Sequence, residues 1–190
     1  MKTIINAIVL SSAFITGTAL AQSVTYGIDS THTFPQFSYD HMGLSKQNLR
    51  FDKTTGTVTY DAKAQTASVD IEIDMKSVST GFTMFNEHIQ GEDFFNTAKF
   101  PTATFKSTKV IFADGKPSKI EGDLTIKDVT KPVVLDVTHF VNTSHPMLNK
   151  DSIGANATTK ISRTEFNAGA YAPGVGDEVT INVSLEAIAQ

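Results

Sequence analysis

The sequence predicts an all-β fold of about eight antiparallel strands, and three observations predict it. Beyond residue 21, apolar and polar residues alternate with a period of two over most of the chain. The alternating runs are short and are separated by turn-forming residues such as Lys63-Ala64-Gln65, Asp114-Gly115 and Lys127-Asp128. Each run has one apolar and one polar face, which suits an antiparallel sheet with one side in water. Eight such strands can close into a barrel with no exposed edge. A β-sandwich satisfies the same alternation, and the pattern alone does not choose between the two.

The first 21 residues stand apart from this pattern. Lys2 supplies a basic start, Ile4 to Leu10 and Ala13 to Ile15 a short apolar stretch, and Ala19-Leu20-Ala21 a small-x-small cleavage site. Residues 1–21 are therefore expected to be a cleaved signal peptide, with residues 22–190 as one exported domain. The apolar stretch, interrupted by Asn6, Ser11, Ser12 and Thr16, is too short to suit a bilayer span. Without the segment the chain has 169 residues (190 − 21), enough for one core or cavity, and its net charge moves from −4 to −5 with the loss of Lys2. No basic block appears, which argues against nucleic acid and anionic membrane surfaces as partners. With no cysteine, thiol chemistry and Cys-based metal sites are excluded, and no lipid attachment follows the cleavage site.

The strands read off in order. FSYDHM (37–42) sets Phe37, Tyr39 and His41 against Ser38 and Asp40. A strand at about 49–60 follows, then VDIEID (69–74) with Val69, Ile71 and Ile73 on one face. Beyond the strand at about 102–112, IEGDLTI (120–126) aligns Ile120, Leu124 and Ile126, and VVLDVT (133–138) aligns Val133, Leu135 and Val137. A strand at about 153–163 precedes VTINVSLE (179–186), where Val179, Ile181, Val183 and Leu185 share a face. Alternation fails from Thr83 to Ala98, where two short helical turns are expected, divided at Gly91, with Asp93 capping the second. Pro101 then opens the next strand, on which Ala103 and Phe105 face inward. The loop 142–152 is expected to be the longest irregular piece.

Residues that could carry chemistry are sparse. The five histidines (His32, His41, His88, His139 and His145) form no metal-ligand spacing. No GxSxG nucleophile motif occurs. Asp114-Gly115 reads as a hairpin turn, Gly174-Val175-Gly176 as a flexible connection, and Glu92-Asp93 as helix-start charges. No catalytic residue, metal or cofactor is expected. A barrel of eight strands either fills its interior or holds one small ligand. Ala103, Gly122, Ala155 and Ala157 on inward faces leave room, while a filled barrel acting through its surface is the alternative. An outer-membrane barrel is disfavoured, because the chain has no Trp and ends Ala187-Ile-Ala-Gln190 without an aromatic.

The ordered motifs resemble one family. Tyr26-x-Ile-Asp and His32 lead into Phe37-Ser-Tyr-Asp-His41-Met-Gly43. Phe51, Gly56, Val78-Ser-Thr80, GEDFFNTAKFPTATFKS (91–107), LTIKDVTKPVVL (124–135), Arg163-Thr-Glu-Phe166 and a terminal VSLEAI follow. This order is similar to that of the bacterial YceI family of periplasmic polyisoprenoid-binding proteins. The resemblance implies an eight-stranded antiparallel lipocalin-like barrel with a short helical insertion near the mouth. It implies non-covalent binding of a long apolar chain, with no cofactor and no catalysis, in the periplasm, by a monomer or homodimer. Isoprenoid quinones, polyprenyl phosphates and fatty amides are the ligands it permits. Where many members carry Arg-Asp before the helical histidine, this chain has Asn86-Glu87-His88, which favours a neutral head group. Asp128 and Asn167 replace usual glycines, and both residue types tolerate a positive φ.

The expected tunnel lining is Phe37, Tyr39, Phe51, Phe105, Leu124, Ile126 and Leu135. Phe82, Met84, Phe94 and Phe95 are expected at the mouth, with His41 and His88 as polar contacts. Burial of apolar chain yields about 0.8 kcal/mol per CH₂, so each five-carbon unit contributes roughly 4 kcal/mol gross. The tail can then drive binding while polar residues select the head. An enzyme acting on a held lipid would need an acid or nucleophile beside His41 or His88.

Overall fold

The computed structural model describes residues 23–190; the expected signal peptide, 1–21, and Gln22 lie outside the described residues. Eleven strand segments alternate along the chain: β1 (Val24–Ile28), β2 (Phe34–His41), β3 (Ser45–Phe51), β4 (Thr54–Asp61), β5 (Thr66–Asp74), β6 (Val78–Ser79), β7 (Thr102–Ala113), β8 (Lys116–Ile126), β9 (Val129–Ser144), β10 (Asp151–Ser162) and β11 (Val175–Ala189). One helix, α1 (Thr83–Ile89), lies between β6 and β7.

These segments make eight strands in space. β1 and β2 run in succession along one edge of β11, at Ala187–Ala189 and Val175–Ser184 respectively. β3 and β4 continue one another against them, and β5 and β6 do the same against β4 and β3. The five remaining strands follow as antiparallel neighbours, and β1 closes the ring on β11. The result is a closed eight-stranded antiparallel barrel, so the sandwich alternative is set aside. The seam is reinforced by the Tyr26 hydroxyl, which donates to Asp151 Oδ2 at 2.6 Å and accepts from Asn142 Nδ2 at 3.1 Å. Burial and the Asp151 carboxylate push the Tyr26 pKa up to about 12.

The three composite strands break at one level: residues 29–33, 52–53 and a short 3-10 helix, Met75–Ser77. Backbone bonds from Asp52 N to Ser77 O and from Asp74 N to Lys53 O bridge the second and third breaks. Gly56, just past the break, has φ +141, and a Cβ there would overlap the backbone carbonyl oxygen of Asp70. Only glycine fits this approach of two strands.

The turns follow their residues, with corrections. Asp114 (φ 50) and Gly115 (φ 76) both take the left-handed form of a two-residue hairpin turn. In the β8–β9 turn the left-handed residue is Lys127 (φ 57), not Asp128, whereas Asn167 does take φ 55. The loop expected at 142–152 shrinks to 145–150, because β9 and β10 pair as far as Ser144 and Asp151. The His145 ring there accepts from the backbone N–H groups of Met147 and Leu148. The second helical turn after Gly91 does not form. Residues 91–96 make a turn closed by backbone bonds from Phe94 N and Asn96 N to Gly91 O, and Asp93 is exposed rather than capping.

The exterior carries ions. Lys106 pairs with Asp70, Lys119 with Asp136, and Lys160 with Glu178 across neighbouring strands. Such exposed pairs contribute little stability each, but they make the outer face polar. The apolar faces point inward, the reverse of a membrane-spanning barrel. Among the described residues no helix is long and apolar enough to cross a membrane.

Candidate functional site

The inward faces enclose a cavity of about 240 Å³, so the interior is not wholly filled by side chains. The inward sets expected for β5, β8, β9 and β11 all reach its wall. Ala103, Ala155 and Ala157 line it as well. Gly122 is different. A Cβ there would lie 2.5 Å from Phe105 Cζ, so the Phe105 ring already occupies the room that this glycine leaves.

Aromatic residues close both ends. At one end Tyr60 stacks on Phe112 at 6.3 Å between centroids and meets Phe140 at 5.2 Å. At the other, α1 and the following turn fold over the opening. Phe95 packs edge-on against Phe37 at 5.9 Å and against Phe51 at 5.8 Å. Phe94 also lines the cavity and is braced by His88 at 4.9 Å and Tyr171 at 5.9 Å. The helix turns only one stripe inward, Phe85 and Ile89, an i, i+4 pair.

Nine of the residues expected at the site line the cavity together: Phe37, Tyr39, Phe51, Phe94, Phe95, Phe105, Leu124, Ile126 and Leu135. Four do not. Phe82 precedes α1 with extended backbone (φ −139) and is 62 % exposed. Met84 lies off the Phe85–Ile89 stripe and is 69 % exposed. His88 faces solvent and buttresses Phe94 and Phe85 instead of reaching the interior. His41 is the last residue of β2, beside the turn to β3, and does not reach the cavity wall.

Sequence reasoning missed several wall residues, chiefly Phe85, Ile89 and Arg163. The i, i+4 apolar pair in the helical segment was the available signal for the first two. Arg163 opens the Arg163-Thr-Glu-Phe166 motif, but a charged residue reads as surface, and the motif does not place it in the wall. Its Nε donates to Gly176 O at 2.8 Å, its Nη1 to Ala168 O and Ala170 O at 2.6 and 2.8 Å, and its Nη2 to Val175 O at 2.7 Å. It therefore clamps the segment read as a flexible Gly174-Val175-Gly176 connection. Burial lowers the Arg163 pKa, opposed by the charge of Asp177.

Thr54 carries a second buried polar atom in the wall. Its residue is 0 % exposed, and its Oγ1 has no hydrogen-bond partner among the described residues. Removing a buried, unpaired hydroxyl without changing shape relieves its desolvation penalty. Thr54→Val is therefore expected to raise unfolding stability by about 1 kcal/mol. Urea denaturation reads this, and a fall in stability would show that the hydroxyl has a partner.

Asp29, His32 and Glu186 place three potential ligand atoms within 4.8 Å of one another, a grouping that sequence spacing did not reveal. None of the three lines the cavity. Asp29 accepts from the Thr31 hydroxyl and backbone and from His32 Nδ1, which holds its pKa down to about 2. These bonds form the turn that joins β1 to β2.

Comparison with known proteins agrees with this architecture. The YceI-like domain family matches residues 26–187. Protein YceI of Escherichia coli O6:H1 is 34% identical over 190 residues, covering 100% of this chain and 98% of that protein. The crystal structure of Campylobacter jejuni YceI protein superposes with a TM-score of 0.71 at 27% identity, over 80% of this chain and 90% of the other. A polyisoprenoid binding domain from Saccharophagus degradans, implicated in plant cell wall breakdown, shares the fold with a TM-score of 0.66 at 18% identity, over 88% and 99% of the two chains. With 162 of its residues, 26–187, inside that domain and a closed barrel of the same kind, the chain belongs to the YceI family.

Proposed function

We propose that this protein binds a long-chain isoprenoid or similar amphiphilic lipid inside the barrel and carries it without chemical change. The observation that carries the reading is the wall itself. It is built mainly from aliphatic and aromatic side chains, drawn from all eight barrel strands though not from segments β1 and β6, and its ionisable members are Tyr39, Tyr60 and Arg163. No histidine or carboxylate among the described lining residues meets a nucleophile there, so the wall offers burial rather than acid–base chemistry. A buried tail of two or three five-carbon units gives roughly 8–12 kcal/mol gross, enough to hold a ligand after ordering costs. Family membership and the fold shared with a polyisoprenoid binding domain support the same reading. The basic-apolar-small pattern of residues 1–21 supports export to the periplasm, where the protein would act as a monomer or homodimer.

Native mass spectrometry of the protein purified from its own cell envelope tests the proposal. A co-purifying lipid is expected; apo protein alone, under conditions that retain a control lipid, counts against it. A filled cavity gives a second test. Ala157 lies in the wall, and Ala157→Phe places a ring in the ligand's space. Affinity for a fluorescent long-chain tracer is expected to fall about tenfold or more, at a stability cost of about 1–3 kcal/mol. Unchanged tracer affinity in a folded variant would move the binding site elsewhere.

A further inference from the structure

The two closed ends of the cavity are built differently. At the floor, Tyr60 and Phe140 line the cavity and meet at 5.2 Å between ring centroids. Each sits inside a paired ladder: Tyr60 lies opposite Val24 and Ala67, and Phe140 opposite Ala155. Phe112, which does not line the cavity, stacks on Tyr60 at 6.3 Å and is itself held opposite Pro117. In the same cluster Tyr26 joins β1 to β10 and β9 through Asp151 and Asn142. At the lid, by contrast, the closing rings Phe85, Phe94 and Phe95 belong to α1 and the turn after it, outside any strand. A floor made of ladder residues yields only if main-chain hydrogen bonds break, whereas the lid residues carry no such ladder. A tail held in the cavity therefore has its far end at the floor and its head towards the lid.

We infer that Tyr60 and Phe140 set the length of tail that the barrel accepts, with Ala67 setting the room beside them. This rests on the reading of the cavity as a lipid site and adds a length limit to it. Burial stabilises a tail only while each added carbon leaves water. Once the tail end touches the two rings, further carbons remain outside on the lid side and add no affinity. Forcing them in would overpack a floor whose rings already touch one another. Ala67 also lines the cavity, directly opposite Tyr60. Its single methyl leaves the space beside the Tyr60 ring deeper than a larger side chain would. Depth at this end is thus written in three side chains, on β4, β5 and β9, and not in the lid.

The test is displacement of N-phenyl-1-naphthylamine by the even-numbered straight-chain alcohols from 1-octanol to 1-octadecanol. It is run on the wild type, on Phe140→Ala and on Ala67→Leu. Wild-type affinity is expected to rise about fourfold per added carbon up to a break length, and less than about 1.5-fold per carbon beyond it. Phe140→Ala removes a ring the size of benzene, a guest that an emptied core site can hold, so the break is expected about four carbons later. Ala67→Leu fills the floor from the opposite side, and the break is expected about two carbons earlier. A barrel that is merely loosened loses affinity for every alcohol alike and keeps its break. An unmoved break in either folded variant overturns the inference, as does a wild-type affinity that climbs without a break to 1-octadecanol. Should Phe140→Ala not fold, Ala67→Leu decides alone. If the wild type binds neither the tracer nor any alcohol, the lipid-binding reading itself fails, and the length limit with it.

Discussion

Arg163→Leu is expected to lower the unfolding free energy by about 4 kcal/mol, from four charge-assisted bonds that are each worth about 1.5–3 kcal/mol and are not additive. The guanidinium gathers the carbonyls of Ala168, Ala170, Val175 and Gly176 from two stretches of chain into one fan. Leucine retains the apolar stem and leaves these carbonyls without a donor. Next to the fan, Phe166 is 2 % exposed and Ala168 is buried, so water reaches the vacated site poorly. Arg163→Lys keeps the charge but has no planar fork, and it is expected to recover less than half of the loss. Urea denaturation of the three proteins reads the difference. A loss below about 1 kcal/mol for Arg163→Leu would show that the carbonyls find water and that the clamp is incidental.

Gly56→Ala is expected to be at least as damaging, at about 3–5 kcal/mol, because two independent penalties coincide. A side chain at φ +141 is strained wherever it sits, and here the new Cβ meets the Asp70 carbonyl, a backbone group that no rotamer change can move. Relief requires β4 and β5 to part at a ladder that runs from Thr54↔Ile73 to Asp61↔Thr66. A domain of this size has about 5–15 kcal/mol in total, so the variant is expected to be poorly soluble or to melt at least 10 °C lower. A thermal midpoint within a few degrees of wild type would mean that the two strands yield more readily than their pairing suggests.

The wall was legible because burial on one face of a strand leaves a period-two trace. Ile71, Leu124, Leu135 and Ile181 announce their direction through the polar residues between them, and the structure points each of them inward. The strand count was legible for the same reason, although β1 was not read as a strand, since VTYGI has a Gly and only partial alternation. Legibility ended where a strand or its period ends. His41 alternates correctly with Tyr39 and pairs regularly with Ser45, but it is the last residue of β2, and alternation does not say where along a strand the cavity stops. Phe82 and Met84 were placed at the mouth by hydrophobicity, yet a helix of seven residues has room for one inward stripe, and Phe85 with Ile89 takes it. Arg163 was hidden for the opposite reason. Its partners are main-chain carbonyls, and a sequence gives no sign of which carbonyls lack donors.

The aligned breaks in three adjacent strands divide the circumference into unlike halves. β7 to β11 cross that level as long, continuous strands of 11 to 16 residues. On the other side, the chain is creased at 29–33, 52–53 and 75–77. A crease of this kind works as a living hinge in an otherwise stiff hoop. Bending of this wall is therefore expected to concentrate at the crease, with β2, β3 and β6 on the lid side of it and Tyr26 and Tyr60 on the other.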